Sequence, residues 1–327
     1  MDPHTIQENM QAFLAGHPEL KYVFFGGKGG VGKTVMAGAT ALWFAGSGRR
    51  TLLASTNPVH SLSGMLLQDV FGRETPVEDV PNLYALEIDT RDTIERKKEE
   101  IREKFQWFLK FADIPTQTDD FVETATMNPS FEESAMFEDM VDLMFADEYD
   151  LYVFDTAPTA NARRLLGMSD VYKLWVEKMM KSKEDASRMR AALSYSKEEE
   201  EDPLREYLVG LRDRIDRVHG LLTADPLTAF FFVTLPEALP IAVIRRFIGW
   251  FREFGIPVGG VIVNELIDQA GISEDSPEFV RNRVASQERY LAEIFEAFPN
   301  VRAVVPYLER EVQGVPMLRE LAERVFA

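Results

Sequence analysis

The sequence predicts an α/β fold: a doubly wound, mainly parallel sheet with an inserted helical subdomain. Three observations predict it. Short β-prone runs recur along the chain, several of them are almost continuously apolar, and helix-compatible segments separate them. Strands that crossover helices bury on both faces have this apolar character. Alternating strands and helices therefore favour a parallel sheet with ligands at the carboxyl ends of its strands.

Seven runs are predicted as strands. In chain order they are residues 22–25, 51–54, 83–88, 151–154, 230–234, 260–263 and 301–305. Two segments, 90–144 and 169–222, are too long and too charged for simple crossovers, and both are helical in character. We interpret them as the inserted helical subdomain.

Composition excludes several classes of function. The chain has 36 basic and 54 acidic side chains and a net charge of −18, which disfavours binding to nucleic acid or anionic lipid. It has no cysteine, which excludes disulfides, thiolate zinc sites and iron–sulfur clusters within the chain. No signal peptide and no integral membrane segment is predicted, so we expect a cytoplasmic protein.

A glycine-rich loop lies between the first predicted strand and the helix-compatible run 35–45. Its residues are Gly26, Gly27, Lys28, Gly29, Gly30, Val31, Gly32, Lys33 and Thr34. This context and spacing are those of a P-loop, in which backbone N–H groups close around phosphate oxygens. Lys33 would reach the β- and γ-phosphates, and Thr34 would place its hydroxyl on Mg²⁺. The sequence therefore predicts a P-loop NTPase that binds a nucleotide together with Mg²⁺.

Lys28 is a second lysine near the start of the loop. Such a lysine resembles the deviant P-loop of a class of dimer-forming ATPases, in which it crosses the subunit interface onto the partner's nucleotide. A solvated loop lysine is the alternative. The chain holds one P-loop, so two nucleotide sites would need two chains, and a homodimer is expected.

Asp155 ends the apolar run 151–154, a pattern that brings a carboxylate near P-loop Mg²⁺, usually through water. The chain continues into Thr156, Pro158 and Thr159, a polar loop able to sense the γ-phosphate. With Asp155, these residues form a candidate switch. A plain strand-end turn is the alternative.

In combination, the motifs resemble the family of arsenical pump-driving ATPases and tail-anchored-protein targeting ATPases. The matching segments are 26–34, the first switch 55–62, the second switch 155–166, 235–238, 263–266, 281–294 and 309–326. The resemblance implies that Glu237 and Asn264 help to hold the nucleotide, with Asn264 on the adenine. A helix-terminal charge for Glu237 and a strand-end cap for Asn264 are the alternatives.

The resemblance also implies a division of the chain. Residues 1–89, 145–168 and 223–327 would form the nucleotide-binding domain, and 90–144 and 169–222 a candidate client-binding helical subdomain. Implied partners are a second copy and either a hydrophobic helical client or a membrane pump or receptor. Met136, Met140 and Met144 recur every four residues, as in flexible apolar grooves, although ordinary helical core explains them as well.

The chain departs from the family pattern at several positions. Asn57 stands where the first switch usually has an Asp that orients the attacking water. An amide carries no negative charge and is no base, so we predict retained ATP binding with slowed hydrolysis. Asn57 and Lys28 remain the candidate catalytic residues. Pro277 and Val280 replace the paired cysteines through which many targeting members bind zinc, so no zinc is expected.

Three functions stay open. A nucleotide-switched targeting factor for an apolar helix is the first. An ATPase subunit that drives an arsenite or anion pump is the second, although the missing thiolates disfavour direct arsenite sensing. A nucleotide-gated scaffold that hydrolyses slowly, because of Asn57, is the third.

Overall fold

The computed structural model describes residues 6–56, 61–89, 92–96, 99, 102–103, 129–155, 203–270 and 272–326. Its strands are β1 Tyr22–Gly26, β2 Thr51–Ser55, β3 Thr75–Pro76, β4 Leu83–Glu87, β5 Leu151–Asp155, β6 Thr228–Thr234, β7 Val258–Leu266 and β8 Val301–Pro306. The main helices of these residues are α1 Met10–Gly16, α2 Lys33–Gly46, α3 Ser61–Leu66, α4 Pro129–Ala146, α5 Pro203–Thr223, α6 Ala238–Glu253, α7 Glu278–Ala297 and α8 Gly314–Val325.

The eight strands form one sheet in the order β3-β4-β2-β5-β1-β6-β7-β8. Every neighbouring pair is parallel except β3 with β4. All seven predicted strands are present, so the predicted doubly wound, mainly parallel sheet is confirmed. The sequence did not predict β3, because two residues with a proline at a sheet edge leave no periodic pattern to read.

Each face of the sheet carries its own hydrophobic core. One core combines alternate strand residues such as Val23 and Leu53 with apolar residues of α1, α2, α3 and α8. The other combines Phe24 and Phe154 with residues of α4, α5, α6 and α7. Because both faces are covered, the central strands are apolar at nearly every position. The polar groups of the sheet are thereby concentrated at strand ends.

The methionine repeat of α4 is buried. Met140 and Met144 belong to the second core, on the face of the sheet that carries Phe24 and Phe154, and Met136 is buried as well. The ordinary-core explanation therefore holds for these three residues, and they offer no apolar client surface. Most of the proposed helical subdomain lies outside the described residues. Its described parts are the helical residues 92–96, 99 and 102–103, together with α4 and α5.

Thr40 lies in α2, the helix that follows the glycine loop, and is fully buried. Among the described side chains, its Oγ1 is the one buried polar atom without a hydrogen-bond partner. A buried hydroxyl without a partner costs about 1–3 kcal/mol. We expect Thr40→Val, which keeps the shape and removes the hydroxyl, to raise the free energy of unfolding by about 1 kcal/mol in urea titrations. Thr40→Ser keeps the hydroxyl and loses the methyl group, so it should lower the free energy of unfolding. A Thr40→Val variant less stable than wild type would contradict the conclusion that the Thr40 hydroxyl has no hydrogen-bond partner.

Candidate nucleotide-binding site

The glycine loop joins β1, in the centre of the sheet, to the first turn of α2. Three of its glycines have positive φ angles: 145° at Gly27, 78° at Gly30 and 93° at Gly32. Gly32 is the N-cap of α2 in the left-handed region. The loop therefore leads directly into a helix N-terminus, where unpaired backbone N–H groups and the helix dipole favour an anion.

Gly27 is also needed for space, because a Cβ built there would lie 2.4 Å from the carbonyl oxygen of Val233 on β6. Gly29 has nothing within 4 Å of such a Cβ, so it provides a matched control within the same loop. We expect Gly27→Ala to weaken binding of MgADP by about tenfold or more, measured by calorimetry, and Gly29→Ala to bind almost normally. Equal affinities for the two variants would contradict this role of Gly27.

Lys33 is the cation of the site. Its Nζ lies 3.2 Å from the backbone oxygen of Lys28, so the side chain spans the loop. Burial lowers the pKa of Lys33, and the negative charge of Asp155 acts in the opposite direction. Lys28 itself is half-buried at the rim of the loop. The loop thus presents one partly desolvated ammonium close to the N-terminus of α2.

Asp155 ends β5, next to β1, and is almost fully buried. Its Oδ2 accepts hydrogen bonds from Thr34 Oγ1 at 2.6 Å and from Ser55 Oγ at 3.2 Å. Burial raises the pKa of Asp155; the bond from Thr34, the charge of Lys33 and the bond from Ser55 oppose that rise, and the charge of Glu87 adds to it. Hard oxygen donors of this kind suit Mg²⁺, so Thr34 and Asp155 fit the predicted metal site.

The order of the strands assembles this cluster. Asp155 is in register with Phe25 of β1 on one side and with Ser55 of β2 on the other, and Ser55 is in register with Glu87 of β4. Residues in register on parallel neighbours point to the same face, here the face that carries α2 and Thr34. From the sequence, a contact between Asp155 and the glycine loop could be predicted only by analogy. The observed strand order places the end of β5 next to β1, where the loop begins.

Glu87 has a role that the sequence analysis did not foresee. It is fully buried at the end of β4, and its carboxylate accepts hydrogen bonds from Leu62 N at 3.0 Å and Ser63 Oγ at 2.7 Å. These bonds anchor the start of α3, the helix that follows residues 57–60. The sequence did contain a signal for this role, because Glu87 is a carboxylate in an otherwise apolar strand. A buried charge needs hydrogen-bond partners, so such a residue is expected to bind neighbouring polar groups.

Asn264 lies near the end of β7, and its buried side chain meets the glycine loop. Its Nδ2 donates to the backbone oxygen of Val31 at 3.1 Å. A Cβ built on Gly32 would lie 2.4 Å from the same nitrogen, which gives Gly32 a steric reason to be glycine. The structure thus brings Asn264 to the loop, and its contact with adenine stays a prediction.

Glu237 is the residue before α6, where its side chain makes no capping hydrogen bond. Its carboxylate pairs instead with Arg283 of α7. Glu265, half-buried at the end of β7, has a raised pKa because of burial first and the charge of Glu237 second, while Arg283 acts in the opposite direction. Glu237 therefore lies within a small acid–arginine cluster beside Asn264, and its contact with the nucleotide stays a prediction.

Several predicted site residues lie outside the described residues. They are Asn57 of the first switch, and Thr156, Pro158 and Thr159 of the second. The described ends of both segments, Ser55 and Asp155, do meet. Within the part of the chain that the structure describes, no helix is long and apolar enough to cross a bilayer.

The chain is similar to known proteins over nearly its whole length. A family model described as anion-transporting ATPase matches residues 20–327. A Paramecium tetraurelia protein named ATPase ASNA1 homolog 2 is 26% identical over 314 residues, which cover 94% of each chain. ATPase GET3C of Arabidopsis thaliana is 31% identical over 332 residues, covering 94% of this chain and 82% of that protein. An Aquifex aeolicus protein, provisionally named as an arsenical pump-driving ATPase, is 30% identical over 313 residues, covering 93% of this chain and 98% of that one.

Proposed function

We propose a function for this chain, which belongs to the anion-transporting ATPase family. This ATPase is a Mg²⁺-dependent homodimeric switch. It couples ATP binding and hydrolysis to the capture and delivery of a hydrophobic membrane-protein client. The main support for nucleotide binding is the contact between α2, the helix after the P-loop, and the end of β5. There, Thr34 Oγ1 lies 2.6 Å from the buried carboxylate of Asp155. A hydroxyl and a carboxylate in this arrangement suit a magnesium nucleotide.

The described residues divide the work of binding the nucleotide. Backbone N–H groups of the loop and of the first turn of α2 bind the phosphate oxygens. The Lys33 ammonium, already placed across the loop, neutralises charge on the terminal phosphates as it develops. Thr34 and Asp155 would hold Mg²⁺, which supplies further charge neutralisation on the phosphate oxygens when it is bound. Asn264 recognises the adenine.

Binding is tested by titrating the purified chain with MgATP in a calorimeter. We expect saturable binding that Lys33→Met, which replaces the ammonium by an apolar side chain of similar length, weakens strongly. A wild-type chain that releases or absorbs no heat of binding at several temperatures, and that ATP does not stabilise against unfolding, would contradict the nucleotide function.

The dimer is proposed from Lys28 and from the single P-loop. A lysine at the loop rim can place its ammonium on a phosphate held by a second copy. We expect a nonhydrolysable ATP analogue with Mg²⁺ to shift the wild-type chain from monomer to dimer in sedimentation velocity, and Lys28→Ala to weaken that shift. A monomer at all analogue concentrations would contradict the dimer while leaving nucleotide binding intact.

The client is the finer part of the proposal. It rests on the resemblance to targeting ATPases and on the two long helical segments, whose described parts α4 and α5 pack on one face of the sheet. Co-expression with a membrane protein that ends in a single apolar helix should yield a complex that depends on that helix. Failure to retain such a tail in either nucleotide state would contradict client capture.

Pump driving is the second candidate, and the provisional name of the Aquifex aeolicus relative favours it. The chain has no cysteine, so a thiolate site for arsenite would have to come from a partner. Stimulation of ATP turnover in the purified chain by arsenite would favour pump driving over targeting. The third candidate, a slowly hydrolysing nucleotide-gated scaffold, is supported by Asn57 alone. Localisation in the cytoplasm stays a prediction.

A further inference from the structure

We propose that Gln287 is a positioning residue that gives the nucleotide site its preference for adenine over guanine. It would do so by holding the backbone of Glu265 and Ile267, the two neighbours of Leu266, which follow Asn264 in the chain. The inference rests on the nucleotide function proposed above and assigns the base selectivity of that site to a side chain of α7 whose two hydrogen bonds both go to the backbone after Asn264.

Gln287 is buried, and both polar groups of its amide bond to the backbone that follows Asn264. Its Nε2 donates to the oxygen of Glu265 at 2.9 Å, and its Oε1 accepts from the N–H of Ile267 at 2.8 Å. A single planar amide thus holds two backbone groups, one on each side of Leu266. Rotation of this amide would break both bonds together, so the bonded segment has one preferred orientation.

The segment needs such support because its backbone is unusual. Glu265 has a φ angle of 58°, in the left-handed region that residues with a side chain seldom adopt. Such conformations persist where surrounding contacts impose them. Gln287 contacts the carbonyl of this same residue. Loss of the contact would let Glu265 relax and change the direction in which Asn264 leaves β7.

The orientation of the Asn264 amide decides which base it can accept. Its Nδ2 donates to the Val31 oxygen, which can only accept, so a flipped amide would set two acceptors against each other. The unflipped amide offers Oδ1 as an acceptor and its second N–H as a donor. Adenine presents the complementary N6 amino group and N7, whereas guanine presents acceptors at both O6 and N7. The held amide therefore matches adenine and opposes guanine.

The test measures binding of MgADP and MgGDP by calorimetry, so that hydrolysis plays no part. Wild type should prefer MgADP by about tenfold or more, and Gln287→Met, an unbranched replacement of similar size, should bring the ratio of affinities towards one. Gln287→Glu keeps the acceptor for Ile267 but sets a carboxylate oxygen against the Glu265 carbonyl oxygen, which can only accept. It should therefore lower the ratio as well, and it supplies the readout if the methionine variant does not fold.

Gln68 provides a matched control. Its amide also makes two hydrogen bonds to the backbone: Nε2 donates to the Pro76 oxygen at 2.8 Å, and Oε1 accepts from Glu78 N at 3.0 Å. Both bonds lie near β3, the edge strand that is far from β7 in the order of the sheet. Gln68→Met should therefore leave the ratio unchanged.

The possible failures are separate. A folded Gln287→Met with the wild-type ratio, a Gln68→Met that lowers the ratio equally, or a wild type without preference would each overturn the role of Gln287 and leave nucleotide binding standing. A wild type that binds neither nucleotide would overturn the proposed function, and this inference with it.

Discussion

Replacing Asn57 by Asp is expected to accelerate single-turnover ATP hydrolysis by ~10²–10⁴, the range that a positioned general base contributes. An aspartate can orient the attacking water and accept its proton, whereas the Asn57 amide can accept a hydrogen bond but takes no proton at neutral pH. The affinity for MgATP should change little, because the phosphate-binding groups of the loop are untouched. The measurement is phosphate release from enzyme in excess over ATP.

Two results separate this explanation from others. Asn57→Ala should not accelerate hydrolysis, since it removes the amide without adding a base. Equal rates for wild type and Asn57→Asp would show that position 57 does not limit hydrolysis, and the slow-scaffold hypothesis would lose its support. Asn57 lies only a few residues before Leu62 and Ser63, whose bonds to Glu87 anchor α3.

The sequence predicted those parts of the molecule whose cause is local. An apolar run, a glycine loop and a helix-compatible run in succession define the surroundings of Lys33 and Thr34 without knowledge of distant residues. The same holds for the strands, since burial on both faces gives a continuous apolar pattern. The two-residue β3 was missed because it has no such pattern.

Contacts between distant segments could not be read in this way. The bonds of Ser55 to Asp155 and of Glu87 to α3 depend on which strands are neighbours, and several strand orders suit the same run of strands and helices. For the same reason, the methionine repeat of α4 remained ambiguous until the structure placed Met140 and Met144 in the core against the sheet. Apolar periodicity shows that a face is buried but does not show what buries it.

Asp155→Asn is expected to make the protein more stable and less active. Burial is the largest influence on Asp155 and raises its pKa above the ordinary value of 3.8, so the folded state disfavours the ionised carboxylate despite its hydrogen bonds. A neutral amide of the same shape removes that cost at neutral pH. Hydrolysis that depends on Mg²⁺ should fall by about 10–100-fold, the usual effect of losing a group that supports a bound metal.

The pH dependence of unfolding identifies the cause. Since the folded pKa of Asp155 is raised, the native state binds more protons than the unfolded state between pH 3.8 and that raised value, and wild-type stability falls as the pH rises through this window. The advantage of Asp155→Asn should be absent below pH 3.8, should grow through the window and then stay constant. Urea titrations across this range measure it.

Asp150→Asn provides the control, because Asp150 directly precedes the opposite end of the same strand, with its carboxylate exposed and bonded to the N–H of Arg50. It removes the same charge but should show neither the gain in stability nor the loss of activity. An Asp155→Asn variant that is less stable than wild type at pH 7 would mean that the charge of Lys33 and the bonds from Thr34 and Ser55 outweigh the burial of the carboxylate. A variant of unchanged activity would remove Asp155 from the magnesium site, and with it the contact on which the nucleotide function rests.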